Sequence, residues 1–219
     1  AAPTTTTPAT TATEATATET ATGTTVATGT SPALTDTVEP QPEPLDVKMV
    51  LADFDGEVPL LSRIQEAFIK ENDYNSILKY CDAETENSRP RSVKLKWTAE
   101  YEEKPDEVTY TVRVSEDADF NEARTFECDG KKSLSVSVYN LKPGTKYYWN
   151  VTAKADGKQA VSETKTFLTA DSTPWVIYVE GVTNCRDIGG WATSDGGHIK
   201  RGMIFRTAGL NNNCEDTLR

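Results

Sequence analysis

The sequence is short of the residues that most chemistry needs. It has one histidine, His198, and two methionines in 219 residues. Its four cysteines, Cys81, Cys128, Cys185 and Cys214, lie far apart with no Cys-x-x-Cys among them. That spacing suggests neither a zinc site nor a redox pair, and it assigns no disulfide pairing. We read the thiols as small core or surface residues. No apolar run reaches the ~20 residues that a membrane-crossing helix requires. Residues 1–44 contain no Lys or Arg, and no basic patch with aromatic interleaving appears. Nucleic acid is therefore not an expected partner, and no metal or cofactor is expected.

What is present is unevenly spread. Residues 1–30 hold 15 Thr and 8 Ala, a composition that cannot bury enough surface to offset the entropy of ordering it. Pro40, Pro42 and Pro44 then favour extended backbone. The net charge of −11 draws five acidic residues from 1–44, whereas residues 91–170 balance 13 acidic against 13 basic. We read 1–44 as a disordered Thr/Ala/Pro-rich stalk of the kind that holds a domain away from a membrane or wall and is often O-glycosylated. The chain does not begin with Met, which leaves room for a removed leader. The expected location is extracytoplasmic, secreted or cell-surface anchored, with membrane or wall attachment through the stalk.

Residues 45–90 read as a small helical segment. Leu60, Leu61, Ile64, Ala67 and Phe68 recur at helical spacing, which predicts an amphipathic helix over 58–72. Asp73 is a candidate N-cap for a further turn or two over 74–80. The string Asp53-Phe-Asp-Gly56 resembles the nucleophile motif of haloacid-dehalogenase-like phosphatases, which would make Asp53 the nucleophile and Asp55 the proton carrier. Glu57 departs from that motif, and no βαβ series follows it. The plain reading is a turn with an acidic rim.

Residues 91–170 alternate in the two-residue period of half-buried strands. Val93, Leu95 and Trp97 share one face, as do Val108, Tyr110, Val112 and Val114, then Leu134, Val136 and Val138, then Tyr147, Trp149, Val151 and Ala153. Such strands separated by turn residues predict an antiparallel β-sandwich. Its first strand is weak in the sequence, with 47–52 and 84–90 as the candidates. Leu141-Lys-Pro-Gly-Thr-Lys-Tyr147-Tyr-Trp149-Asn-Val151 resembles the fibronectin type III signature. That resemblance puts Trp97 in the place of the strand-B tryptophan and makes Tyr147 the tyrosine corner. It also implies a possible protein or glycan contact by the sandwich.

After a linker at 169–174, the segment 171–219 changes character. Asn184-Cys-Arg186-Asp187-Ile-Gly189-Gly190 joins polar groups to a turn that permits positive φ and close backbone approach. Arg186 can pair with a carboxylate in fork geometry, and Asp187 can accept backbone N–H bonds. Asp195-Gly196-Gly197 is a turn signal. Phe205-Arg206-Thr-Ala-Gly-Leu210 closes the series. In this order and spacing the three elements resemble the opening of the tyrosine-phosphatase-like family of bacteria and fungi. Cys185 stands where an aromatic or Val is usual, which we read as a packing substitution.

The resemblance implies a cysteine nucleophile in a His-Cys-x5-Arg loop, with its Arg holding phosphoryl oxygens and an Asp protonating the leaving group. No such loop occurs in these residues. Cys214 through Arg219 is Cys-x4-Arg without Gly, and its acidic neighbours would raise the thiol pKa and repel phosphate. His198 reads as a surface residue.

The expected fold is mainly β, comprising a fibronectin type III-like sandwich, a short N-terminal helical segment and the opening β-hairpin of a truncated α/β phosphatase domain. Asn184, Arg186, Asp187, Gly189, Gly190 and Arg206 are expected to be structural or loop-bracing, with no catalytic residue in this chain. The expected function is that of the N-terminal part of a phosphatase acting on a phosphorylated protein or small phosphomonoester, the fragment itself being inactive. The alternative is a non-enzymatic adhesion or spacer protein with a fibronectin-like binding module. With few packing partners of its own, 181–219 is expected to be loosely held.

Overall fold

The computed structural model describes residues 42–80, 89–131 and 133–209. The stalk expected at 1–44, all but its last three residues, lies outside them, as do Cys81, most of the 84–90 candidate strand, Leu210 and Cys214.

Two sheets face each other. One is formed by β2 (Lys48–Leu51), β3 (Val93–Glu100) and β6 (Ser135–Val138). The other runs β1 (Glu43–Pro44), β8 (Lys158–Val161), β7 (Lys146–Ala155), β4 (Thr109–Ser115) and β5 (Arg124–Asp129), with β9 (Lys165–Leu168) also paired to β7. All ladders are antiparallel except the short β1–β8 contact. The candidate strand at 47–52 is present as Lys48–Leu51, with Met49 opposite Ala99 and Leu51 opposite Trp97.

Every second residue of β3, β4 and β7 points between the sheets. Leu95, Val112, Trp149, Val151 and Ala153 have no solvent exposure, and Trp97 leans on Tyr110 with ring centroids 5.5 Å apart. Each large apolar side chain buried in this way contributes about 1.5–3 kcal/mol. The Tyr147 hydroxyl accepts a hydrogen bond from the Lys142 amide at 2.9 Å, which is the expected corner. Burial pushes its pKa up to about 12.

Two strands went unread in the sequence. β5 is an edge strand with only Phe126 and Cys128 partly buried, so it shows no strong alternation. β8 returns from β7 through Asp156 and Gly157, both at positive φ (52° and 75°), the two-residue Asp-Gly hairpin turn. Four residues of β7, from Trp149 to Thr152, then oppose five from Val161 to Lys165. At this bulge the Ser162 Oγ accepts the Val151 N–H at 3.0 Å.

The helical segment is shorter than its periodicity suggests. α1 spans Arg63–Lys70, and Ser62 and Gln65 form a reciprocal capping box at its start. Leu60 and Leu61 precede it as buried extended residues, while Ile64 and Phe68 are exposed and Gln65 is the buried member. Gln65 Nε2 donates to the Arg89 carbonyl at 2.9 Å. The sandwich, not a helix face, accounts for Leu60: Val58 bridges to Thr169, and Leu60 joins the sandwich core. α2, Tyr74–Leu78, is capped by Asp73 accepting from the Ser76 amide at 2.8 Å.

Candidate functional site

Beyond the sandwich, β10 (Trp175–Val176), β11 (Arg186–Asp187) and β12 (Phe205–Arg206) form a third sheet, of three strands. Directly opposed residues in antiparallel pairs share a face. Register therefore puts Trp175, Asp187 and Phe205 on one face and Val176, Arg186 and Arg206 on the other.

Asp187 has no solvent exposure. Its Oδ1 accepts the Gly189 N–H at 2.9 Å, and its Oδ2 accepts the Gly202 N–H at 2.7 Å. One carboxylate thus ties the turn after β11 to the turn before β12. Gly189 is required sterically, because a Cβ there would lie 2.5 Å from the Arg201 Cα and 2.6 Å from the Lys200 carbonyl oxygen. Gly190 is favoured by its φ of +89°, and a Cβ there would crowd the Arg201 side chain, 2.5 Å from its Nε. Asn184 adopts φ 57°, a left-handed position that Asn tolerates. The hairpin between them closes through Thr193 and Gly197, with the Asp195 carboxylate accepting from the Gly197 amide and the Thr193 hydroxyl. Those bonds, the Thr193 hydroxyl first, hold Asp195 below its ordinary pKa.

The remaining expected residues stand differently. Arg186 is half-buried and has no carboxylate partner among the described residues; the residue across from it is Arg206, which is exposed. Burial, and then the Arg206 charge, lower its pKa. Cys185 is buried, and burial raises its thiol pKa, which suits packing and disfavours a thiolate. Cys185 and Cys128 are both free thiols. His198 is exposed and opposes Ala192 across the hairpin. Asp53 is an exposed residue paired with Lys165 at 2.6 Å. Among the described residues no three His, Cys, Asp or Glu converge to hold a metal ion.

Sequence reasoning missed Arg201. Its guanidinium pairs with Asp171 at 2.8 Å and donates to the Ser172 carbonyl and, at 2.9 Å, to the Thr173 hydroxyl. It therefore fastens the hairpin to the linker, and its partners lie about 30 residues away in positions that no local motif announces.

Two family matches agree with this geometry. Residues 82–167 match the fibronectin type III domain, and residues 177–219 match the tyrosine phosphatase family. The chain is phosphatase-like, with a fibronectin type III module ahead of the phosphatase match. No curated protein matches it. The phosphatase-like segment thus contains β11, β12, the Asp187 tie and both glycine turns, while the fibronectin module supplies the core that β10 follows. Five large apolar side chains of the segment, Trp191, Ile199, Met203, Ile204 and Phe205, are 43–64 % exposed.

Proposed function

We propose that the chain is the N-terminal part of a cysteine-dependent phosphatase that hydrolyses phosphotyrosine or related phosphomonoesters. The observation that carries the reading is the tyrosine phosphatase match over 177–219, which coincides with the turn built on Asp187, Gly189 and Gly190. In this reading Asn184, Arg186, Asp187, Gly189, Gly190 and Arg206 hold or brace a catalytic loop and perform no chemistry themselves. The nucleophile belongs to a His-Cys-x5-Arg loop that these 219 residues do not contain. The apolar residues exposed between Trp191 and Phe205 are then the surface on which the rest of an α/β domain packs.

We further place the protein outside the cytoplasm, secreted or anchored at the cell surface, with the Thr/Ala/Pro tract as its tether to membrane or wall. The fibronectin module is available for a protein or glycan contact, and the substrate is a phosphorylated protein or a small phosphomonoester. The test compares two polypeptides on an aryl phosphate. The 219-residue chain should show no turnover above buffer. A longer polypeptide in which the segment continues through a His-Cys-x5-Arg loop should turn over and lose activity when that loop Cys becomes Ser. Turnover by the 219-residue chain that disappears on Cys214→Ser would refute the reading.

A further inference from the structure

Two arginines stand side by side on the face of the small sheet opposite Asp187. Arg186 is directly across from Arg206, so their side chains leave the same face, with Cβ atoms roughly 4.5–5.5 Å apart. Val176, the third member of that face, carries no charge. Like charges so placed destabilise a strand pair unless something offsets them. This chain has 34 acidic residues against 23 basic, and elsewhere it uses them for this purpose. Lys131, Lys142, Lys165 and Arg201 each meet a carboxylate at 2.6–2.9 Å. Among the described residues, Arg186 and Arg206 have no ion pair and no side-chain hydrogen bond. Arg186 is also half-buried, so its charge has given up part of its hydration without a partner among the described residues in return.

We propose that Arg186 and Arg206 form a binding site for a phosphate-class dianion. Two guanidinium forks suit a tetrahedral dianion better than a carboxylate. A carboxylate has one charge and two oxygens in a plane, which a single fork already satisfies. A phosphate monoester carries about −1.5 to −2 and three acceptor oxygens in three dimensions, so each fork takes a different edge. Free phosphate and a phosphoryl group on a larger molecule share this chemistry. The site uses side chains on a sheet face and needs no nucleophile. The 219-residue chain therefore tests it without the catalytic loop that the same arginines are proposed to brace.

The test uses the 219-residue chain and the arginine Nε–H resonances in NMR, at about pH 7.5 and constant ionic strength. Inorganic phosphate, O-phosphotyrosine and acetate are titrated in parallel. We expect saturable shifts at Arg186 and Arg206 with half-saturation on the order of 1 mM for either phosphate compound, and none with acetate. Arg206→Gln, at an exposed position, should weaken the response at Arg186 at least about tenfold, and Lys200→Gln should leave it unchanged. Unaltered Gly189 and Gly202 amide shifts show that the variant retains the turn. A response to phosphate but not to phosphotyrosine assigns the site to the free anion, and equal responses assign it to the phosphoryl group in general. A linear, unsaturable response, an equal response to acetate, or a phosphate response that survives Arg206→Gln would overturn the proposal.

Discussion

Replacing Asp187 with Asn tests whether the two turns of the phosphatase-like segment depend on one carboxylate. The wild-type group accepts two backbone N–H bonds, from Gly189 at 2.9 Å and Gly202 at 2.7 Å, with no exposure to solvent. Hydrogen bonds to a charged acceptor contribute about 1.5–3 kcal/mol each. Asparagine keeps one acceptor oxygen and turns an NH2 group toward the other backbone donor. One bond is lost and one buried N–H is orphaned, a combined cost of about 2–3 kcal/mol. A neutral amide is easier to bury than a carboxylate, which brings the net to about 2 kcal/mol, or roughly a 30-fold change in a local opening equilibrium. Amide hydrogen exchange reads this directly. The amide left without its acceptor, Gly189 or Gly202, should exchange about 30-fold faster in Asp187→Asn. The Trp149 amide, in the fibronectin core, should be unaffected. Acceleration of less than about threefold at both glycines would refute the tie. Equal acceleration at Trp149 would show that Asp187 supports the whole fold rather than its own turn.

Two further outcomes follow from the same contacts. Gly189→Ala should destabilise the segment far more than Gly196→Ala. The added methyl meets Arg201 and Lys200 backbone at 2.5–2.6 Å in the first case and open space in the second, where only the φ of +84° opposes it, at about 1–2 kcal/mol; tryptic cleavage within 189–206 compared across the two variants checks the order. Tyr147→Phe should cost the sandwich about 1–3 kcal/mol in urea unfolding, by orphaning the Lys142 N–H. In the wild type, the same hydroxyl has its pKa raised from 10 to about 12. The unfolded chain therefore releases its proton first, and the stability present below pH 10 should decline as pH rises toward 12; the urea midpoint of Tyr147→Phe should fall less over that interval.

The sandwich was legible because its strands bury one face in water's presence, and alternation such as Val93-x-Leu95-x-Trp97 is the direct trace of that. β5 left no such trace because an edge strand with two half-buried residues has little to alternate. β8 was announced by Asp156-Gly157, but its partial burial hid the pattern that would have confirmed it. The helix was misjudged at its start because Leu60 and Leu61 fit a helical stripe by chance while being buried for another reason. The Ser62–Gln65 capping box was the better signal, since it states where orphan N–H groups are satisfied. At the candidate site, the bond from Asp187 to Gly189 was readable within its own turn. The bond to Gly202, 15 residues on, and the grip of Arg201 on the linker were not, because sequence carries no distance across a fold.

That distinction bears on how the fibronectin module and the phosphatase-like segment are joined. Among the described residues, the directional contacts at this junction fall mostly ahead of 181–219 and reach that segment at Arg201. Thr169 is fully buried and donates through its hydroxyl to the Lys142 carbonyl at 2.6 Å. Asn140, itself at φ 59°, offers both ends of its amide to the Tyr178 backbone at 2.7 and 2.8 Å, as a neighbouring strand would, while Tyr139 and Tyr178 stack at 4.7 Å. Arg201 then fixes Asp171 through Thr173. The bonds concentrate on the linker, on Tyr178 and at Arg201. The exposed apolar residues from Trp191 to Phe205 contribute to none of these polar contacts. The module is therefore built onto the base of the segment by polar, geometrically specific contacts, which set an orientation at low cost in apolar surface. The hydrophobic side of the segment is left free. Such a joint suits the proposed phosphatase reading, in which the module holds one pose beside a catalytic domain, better than it suits a spacer on a flexible tether.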